Sequence, residues 1–362
     1  RKPVFLVGRV ARRREDWDRR VRLAEILGAA VLTDLKTGAT FPTDHRLHFE
    51  SPGDFVTEGK RALLLKADVI LSLDWIDLAG TFKQATGKDE VQGKVIQASV
   101  DSYNHNGWSM DHQGLPPADL LLLAEPDVAV ARLLPLVEAR MTGKSPKWEG
   151  GEPSSPAPEG AEGERGIALR DIAQTLERVR GDRDLSIVPV PRSGEGFRFD
   201  DPLDCLGLDG GAGLSSGPGL AVGAGLALKG SGRFPVAILG DGNFLQGATA
   251  LWTAAHYEIP VLYLIENNHS NLNDEIHQET VAKQRGRPPE NRWIGVRIDS
   301  PPPGLPDIAR AQGVAADGPV AKLDDLAAAI EKGLRTVEEG RPYLIDVTVL
   351  PRSPRGKYWE RG

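Results

Sequence analysis

A single cysteine, Cys205, stands among 362 residues. No disulfide can form within the chain, and no cysteine-built metal site exists. That usage fits a reducing cytoplasm, and a small core residue is the plainer role for this thiol than a nucleophile. No apolar run reaches the ~18 residues of a membrane span, and the opening residues do not read as a signal peptide. Positive charge is not in excess either. A net charge of −7 argues against nucleic-acid or membrane-surface partners, since both reward a basic face. The arginine run "RVARRREDWDRR" is interleaved with Glu15, Asp16 and Asp18 and reads as a solvated helix face. An initiating Met is missing before the strand-like "PVFLVG", as a fragment or processed piece would look.

What is present belongs to a globular protein, with 40% apolar and 26% charged residues in a chain long enough for two cores. "PVFLVG", "AAVLTD", "ADVILSLD" and "KVIQASVD" are short apolar strands. Between them "WDRRVRLAEILG" and "KRALLLK" have helical spacing, and such alternation implies a parallel sheet covered by helices. Across 143–166, "GKSPKWEGGEPSSPAPEGAEGERG" offers almost nothing to bury and reads as a linker. Alternation resumes with the helix "IALRDIAQTLERV", the strand "LSIVPV", a glycine-dense run into a small-residue helix, and the strand "FPVAILGDG". One helix is expected through "FLQGATALWTAAHY", then the strands "PVLYLIENN" and, closing the sheet, "RPYLIDVTV". The expected fold is α/β: two Rossmann-like domains with mainly parallel sheets, residues 1–142 and 167–362, joined by that linker.

Two polar clusters fall at carboxyl ends of strands, where ligands bind in open parallel sheets. Asp241 follows "VAIL" and Asn268 follows "VLYLIE", with 24 residues between Gly242 and Asn267. A hard divalent cation such as Mg²⁺ takes octahedral oxygen ligands and borrows some from phosphate. Asp241 can give a carboxylate, Asn268 an amide oxygen, and the backbone just beyond a carbonyl. Gly240 and Gly242 let the main chain approach phosphates, and a helix starting near Asn243 offers free amides. Taken singly, "GDG" is a strand-end turn and "NN" a cap; the pairing at two strand ends is what makes them specific.

The run from Gly240 to Asn268 resembles the cofactor signature of thiamine diphosphate-dependent enzymes, GDG followed some twenty residues later by NN. "LWTAAHYEIPV" and "GGAGLSSGPGLAVGAGLAL" resemble segments of the acetolactate synthase and benzoylformate decarboxylase group, and residues 1 to about 140 resemble its central domain. The resemblance implies thiamine diphosphate and Mg²⁺, with Asp241 and Asn268 as side-chain ligands and Ser270 as a main-chain ligand. It places Gly240, Gly242 and Asn243 at the diphosphate, although the family more often has Ser or Ala where Asn243 stands. Leu214 falls where a bulky apolar residue props the bent cofactor. Asp274, Glu275 and His277 lie in the segment expected to cover the cofactor and are candidates for handling substrate protons, the alternative being a solvated helix face. His269 is a candidate for substrate contact, with a cap or surface place as its alternative.

The implied activity is decarboxylation or carboligation of a 2-oxo acid. The activating glutamate of such enzymes belongs to a pyrimidine-binding domain not seen here, so the expectation is that a missing N-terminal part or another chain supplies it. A homodimer or homotetramer follows from sites that lie between subunits. FAD on the first domain is possible but disfavoured, because "QASVDSYNHNG" does not carry the acidic strand-end pattern of flavin-binding relatives. His105 and His112, with Asp101 and Asp111, fit no standard metal spacing and read as a packed loop. The competing functions are an oxidase or C–C hydrolase on the same scaffold and a non-catalytic partner subunit. A dinucleotide-binding dehydrogenase is disfavoured, since no GxGxxG follows a strand with an acidic residue some twenty positions on.

Overall fold

The computed structural model describes residues 1–53, 56–88, 90–101, 118–146, 148, 150, 166–188, 194–207 and 213–351. Two compact units emerge, one of Arg1–Gly160 with Arg192–Ala212, the other of Ala161–Pro191 with Gly213–Gly362. Most of the stretch read as a linker lies outside the described residues, as do His105, Asp111 and His112.

The first unit holds strands β1 (Pro3–Val7), β2 (Ala30–Thr33), β3 (Val69–Leu73), β4 (Lys94–Ser99) and β5 (Leu120–Leu123). All pair in parallel, in the order β2-β1-β3-β4-β5. β1 to β3 are nearly continuous runs of Val, Ile, Leu and Phe because helices cover both faces of such a sheet. Val4, Leu6, Ile70 and Phe82 fill one side, and Phe5, Leu23, Val31 and Leu73 the other.

The arginine-rich run is not wholly a solvated face. Arg14–Leu27 is a helix, and Asp16 and Arg20 on it are only 2% and 1% exposed. Arg20 pairs with the buried Asp127, whose other oxygen accepts the Ala11 N–H. Burying one charge among apolar residues is costly, and a hydrogen-bonded opposite charge offsets that cost. Cys205 is fully buried as expected, and burial pushes its thiol up to about 12. Such a thiol is inert as a nucleophile.

The second unit contains β6 (Asp184–Ile187), β7 (Arg233–Gly240), β8 (Leu262–Asn267), β9 (Ala315–Val320) and β10 (Tyr343–Thr348). They too are parallel, in the order β6-β7-β8-β10-β9. β10 therefore sits inside the sheet, and the half-exposed β9 forms one edge, with β6 at the other. The single helix expected after β7 is two, Asp241–Gly247 and Ala250–His256. Helix Ser216–Ala227 is rich in small residues because it lies close on the core. A Cβ on Gly225 would come within 2.4 Å of Ile259 Cγ2 and 3.1 Å of Val261 Cγ2.

Candidate functional site

β7 and β8 are neighbours, with Gly240 opposite Glu266. Residues just past their ends therefore share one edge of the sheet. Helix Asp241–Gly247 opens at Asp241 itself, two residues before the expected start. Asp241 is 2% exposed. Its Oδ1 accepts the Gly242 N–H at 2.8 Å and its Oδ2 the Ser270 N–H at 3.0 Å. These two bonds orient the carboxylate, which offers about four lone-pair directions in all.

The two asparagines have different occupations. Asn267 Nδ2 donates to Asp346 Oδ1 at 3.0 Å, and its Oδ1 accepts the His269 N–H at 3.1 Å. Asp346 is buried, and burial pushes its carboxyl above the ordinary range while the Asn267 amide opposes the rise. Asn268 Oδ1 is buried with no hydrogen-bond partner among the described residues. Leaving such an acceptor unpaired costs about 1–3 kcal/mol, and each one calls for an explanation. A cation would supply the missing partner.

Ser270 is 2% exposed and ties the loop together. Besides its bond to Asp241, its Oγ lies 3.0 Å from Glu275 Oε2 and 3.3 Å from the Val296 carbonyl. The Asn271 N–H donates to Val296 O at 2.9 Å, and the Ile298 N–H donates to His269 O at 2.8 Å. The 296–298 segment thus braces the loop that follows β8.

The glycines differ in purpose. A Cβ on Gly240 would meet nothing within 4 Å, whereas one on Gly242 would fall 1.9 Å from Asn271 Oδ1. Gly240 borders open space, and Gly242 makes room for its own neighbour. Asn243 Oδ1 accepts the Gly217 N–H at 3.3 Å, tying this turn to the start of helix Ser216–Ala227. Leu214 is 47% exposed and precedes Ser215, whose φ is +82°.

Of the three proton-handling candidates, Asp274 and His277 are exposed, and Glu275 is 1% exposed, drawn inward against Ser270. Asp346 escaped the sequence reading, although a carboxylate inside the apolar strand "YLIDVT" is a signal. Among the described residues no group of three or more His, Cys, Asp or Glu side chains gathers as a metal site. A carboxylate, an amide oxygen and a backbone carbonyl are donor types that suit a hard cation.

An oxygen-donor loop and an open glycine at adjoining parallel strand ends define an α/β ligand-binding domain. Residues 194–347 match the family described as thiamine pyrophosphate enzyme, C-terminal TPP binding domain. The fold is also similar to that of the thiamine diphosphate-dependent 4-hydroxybenzoylformate decarboxylase of Rhodococcus jostii RHA1, at TM-score 0.71 and 21% identity, covering 96% of this chain and 61% of that one. Benzoylformate decarboxylase from Polynucleobacter necessarius is comparably similar, at TM-score 0.71 and 20% identity, covering 96% and 62%. The chain thus spans about three fifths of the length of the solved structures it matches.

Proposed function

We propose that this chain carries the diphosphate- and Mg²⁺-binding half of a thiamine diphosphate-dependent enzyme that decarboxylates or ligates a 2-oxo acid. The observation that carries the reading is Asn268 Oδ1, buried without a donor among the described residues, two residues before the Ser270 N–H that holds the Asp241 carboxylate. Asp241 and Asn268 would hold the cation by side-chain oxygens and Ser270 by its carbonyl. The space beside Gly240 admits the diphosphate, and Asn243 keeps the turn beneath it in place. Bound thiamine diphosphate supplies a carbon nucleophile and an electron sink for breaking the bond between a ketone and its carboxylate. The protein's part here is to bind and orient.

The group that activates the cofactor belongs, in this reading, to a pyrimidine-binding domain supplied by another segment or another chain. A homodimer or homotetramer in the cytoplasm belongs to the same reading. Asp274, Glu275 and His277 stay the candidates for handling substrate protons in this reading, Asp274 and His277 exposed and Glu275 buried against Ser270.

Calorimetric titration tests the assignment. The chain should bind thiamine diphosphate only with Mg²⁺, and Asp241→Ala or Asn268→Ala should each abolish that dependence with the fold retained. Normal binding by both variants would show the site to be wrongly placed.

A further inference from the structure

Helix Leu272–Gln284 buries a single residue, and that residue is a carboxylate, Glu275. An unpaired buried carboxylate is expensive, so what it touches explains why it is there. One oxygen, Oε2, receives the Ser270 hydroxyl at 3.0 Å; the other lies 3.9 Å from Arg292 Nε, which is itself 3.2 Å from Glu279 Oε2. Ser270 in turn donates its N–H to Asp241 Oδ2. A continuous chain of contacts therefore runs from Arg292 through Glu275 and Ser270 to the Asp241 carboxylate.

We propose that Glu275 is a positioning residue for the cation. By accepting the Ser270 hydroxyl it fixes the rotation of the loop, and with it both the Ser270 carbonyl and the hydrogen bond that orients Asp241. The inference rests on the Mg²⁺ reading above and adds to it the residue that holds the ligand loop in place. Groups standing behind metal ligands in this manner alter metal affinity by about 10–100-fold when removed.

The test uses the full chain with Mn²⁺ as the probe, in the presence of thiamine diphosphate. Free and bound Mn²⁺ are separated by electron paramagnetic resonance, and thermal melts of the cation-free proteins report the fold. Glu275→Ala should weaken Mn²⁺ binding about tenfold or more. Glu275→Gln, which keeps an acceptor oxygen, should restore binding to within about threefold of the parent, an outcome general destabilisation would not give. Ser270→Ala deletes the same contact from its other end and should match Glu275→Ala, with the double variant no weaker than either; this variant carries the test should Glu275→Ala not fold. Parent-like affinity in both Glu275→Ala and Ser270→Ala would overturn the positioning role and leave the Mg²⁺ site standing. Equal losses in the Gln and Ala variants would overturn it too, since acceptor geometry would then not be what matters. A parent chain that takes up no Mn²⁺ with the cofactor would instead overturn the functional reading, and this inference with it.

Discussion

His48 shows how a single residue makes stability depend on pH. It is 9% exposed, and its Nε2 lies 2.9 Å from Thr33 Oγ1. Burial, helped by the nearby positive charge of Lys60, lowers its pKa from 6.5 to about 4. Between those values the unfolded chain takes up a proton that the folded chain refuses. Stability therefore falls as pH drops through that window, by roughly 3 kcal/mol in all. Denaturant unfolding at pH 7, 5 and 4 should show this slope, and His48→Gln should flatten it. The residue scale is also where the site was most legible. Asp241 and Asn268 stood out as candidates because their types and spacing are chemically unusual at strand ends. Glu275 could be named but not placed, since its helix has one buried residue and so no apolar stripe from which to infer an inward face.

At the scale of elements, the strands were plain wherever burial on both faces demanded unbroken apolar runs. β9, "AADGPV", was invisible for the opposite reason, being a half-exposed edge strand with residues that strands rarely use. The break between Asp241–Gly247 and Ala250–His256 was missed because the intervening Ala248 and Thr249 fit a helix, both having αR backbone. The turn between β7 and the first of these helices yields a paired prediction. Gly240 has φ −67° and ψ 153°, which alanine accepts, and a Cβ there meets nothing. Gly240→Ala should therefore melt within a few degrees of the parent yet lose Mg²⁺-dependent cofactor binding. Gly242→Ala should also weaken binding, by displacing the Asn271 side chain 1.9 Å away. Combining it with Asn271→Ala should recover much of the loss. Titration of the three variants beside their melting curves checks both halves.

For the whole molecule, the sequence conveyed two parallel α/β units but not the order of strands within them. Order depends on long-range pairing, to which local apolar patterns are blind. The reading of the chain as half of a cofactor site makes a prediction at this scale. Thiamine diphosphate affinity, measured with saturating Mg²⁺, should rise at least tenfold when a pyrimidine-binding domain is supplied in cis or in trans. Affinity unchanged by that domain would mean that the diphosphate half acts alone.

β10 pairs with β8 along Tyr343–Thr348, and its Asp346 accepts the amide of Asn267. During synthesis, β7 and β8 leave the ribosome well before this partner. Until it arrives, β8 has one open edge, and the loop carrying Asn268 lacks the carboxylate that anchors its base. The loop that carries Asn268 thus takes its final form only after some seventy-five further residues have been added beyond Asn268. Any nascent chain stalled before Tyr343 would display a sticky apolar strand with the loop after it unanchored, a state suited to chaperones.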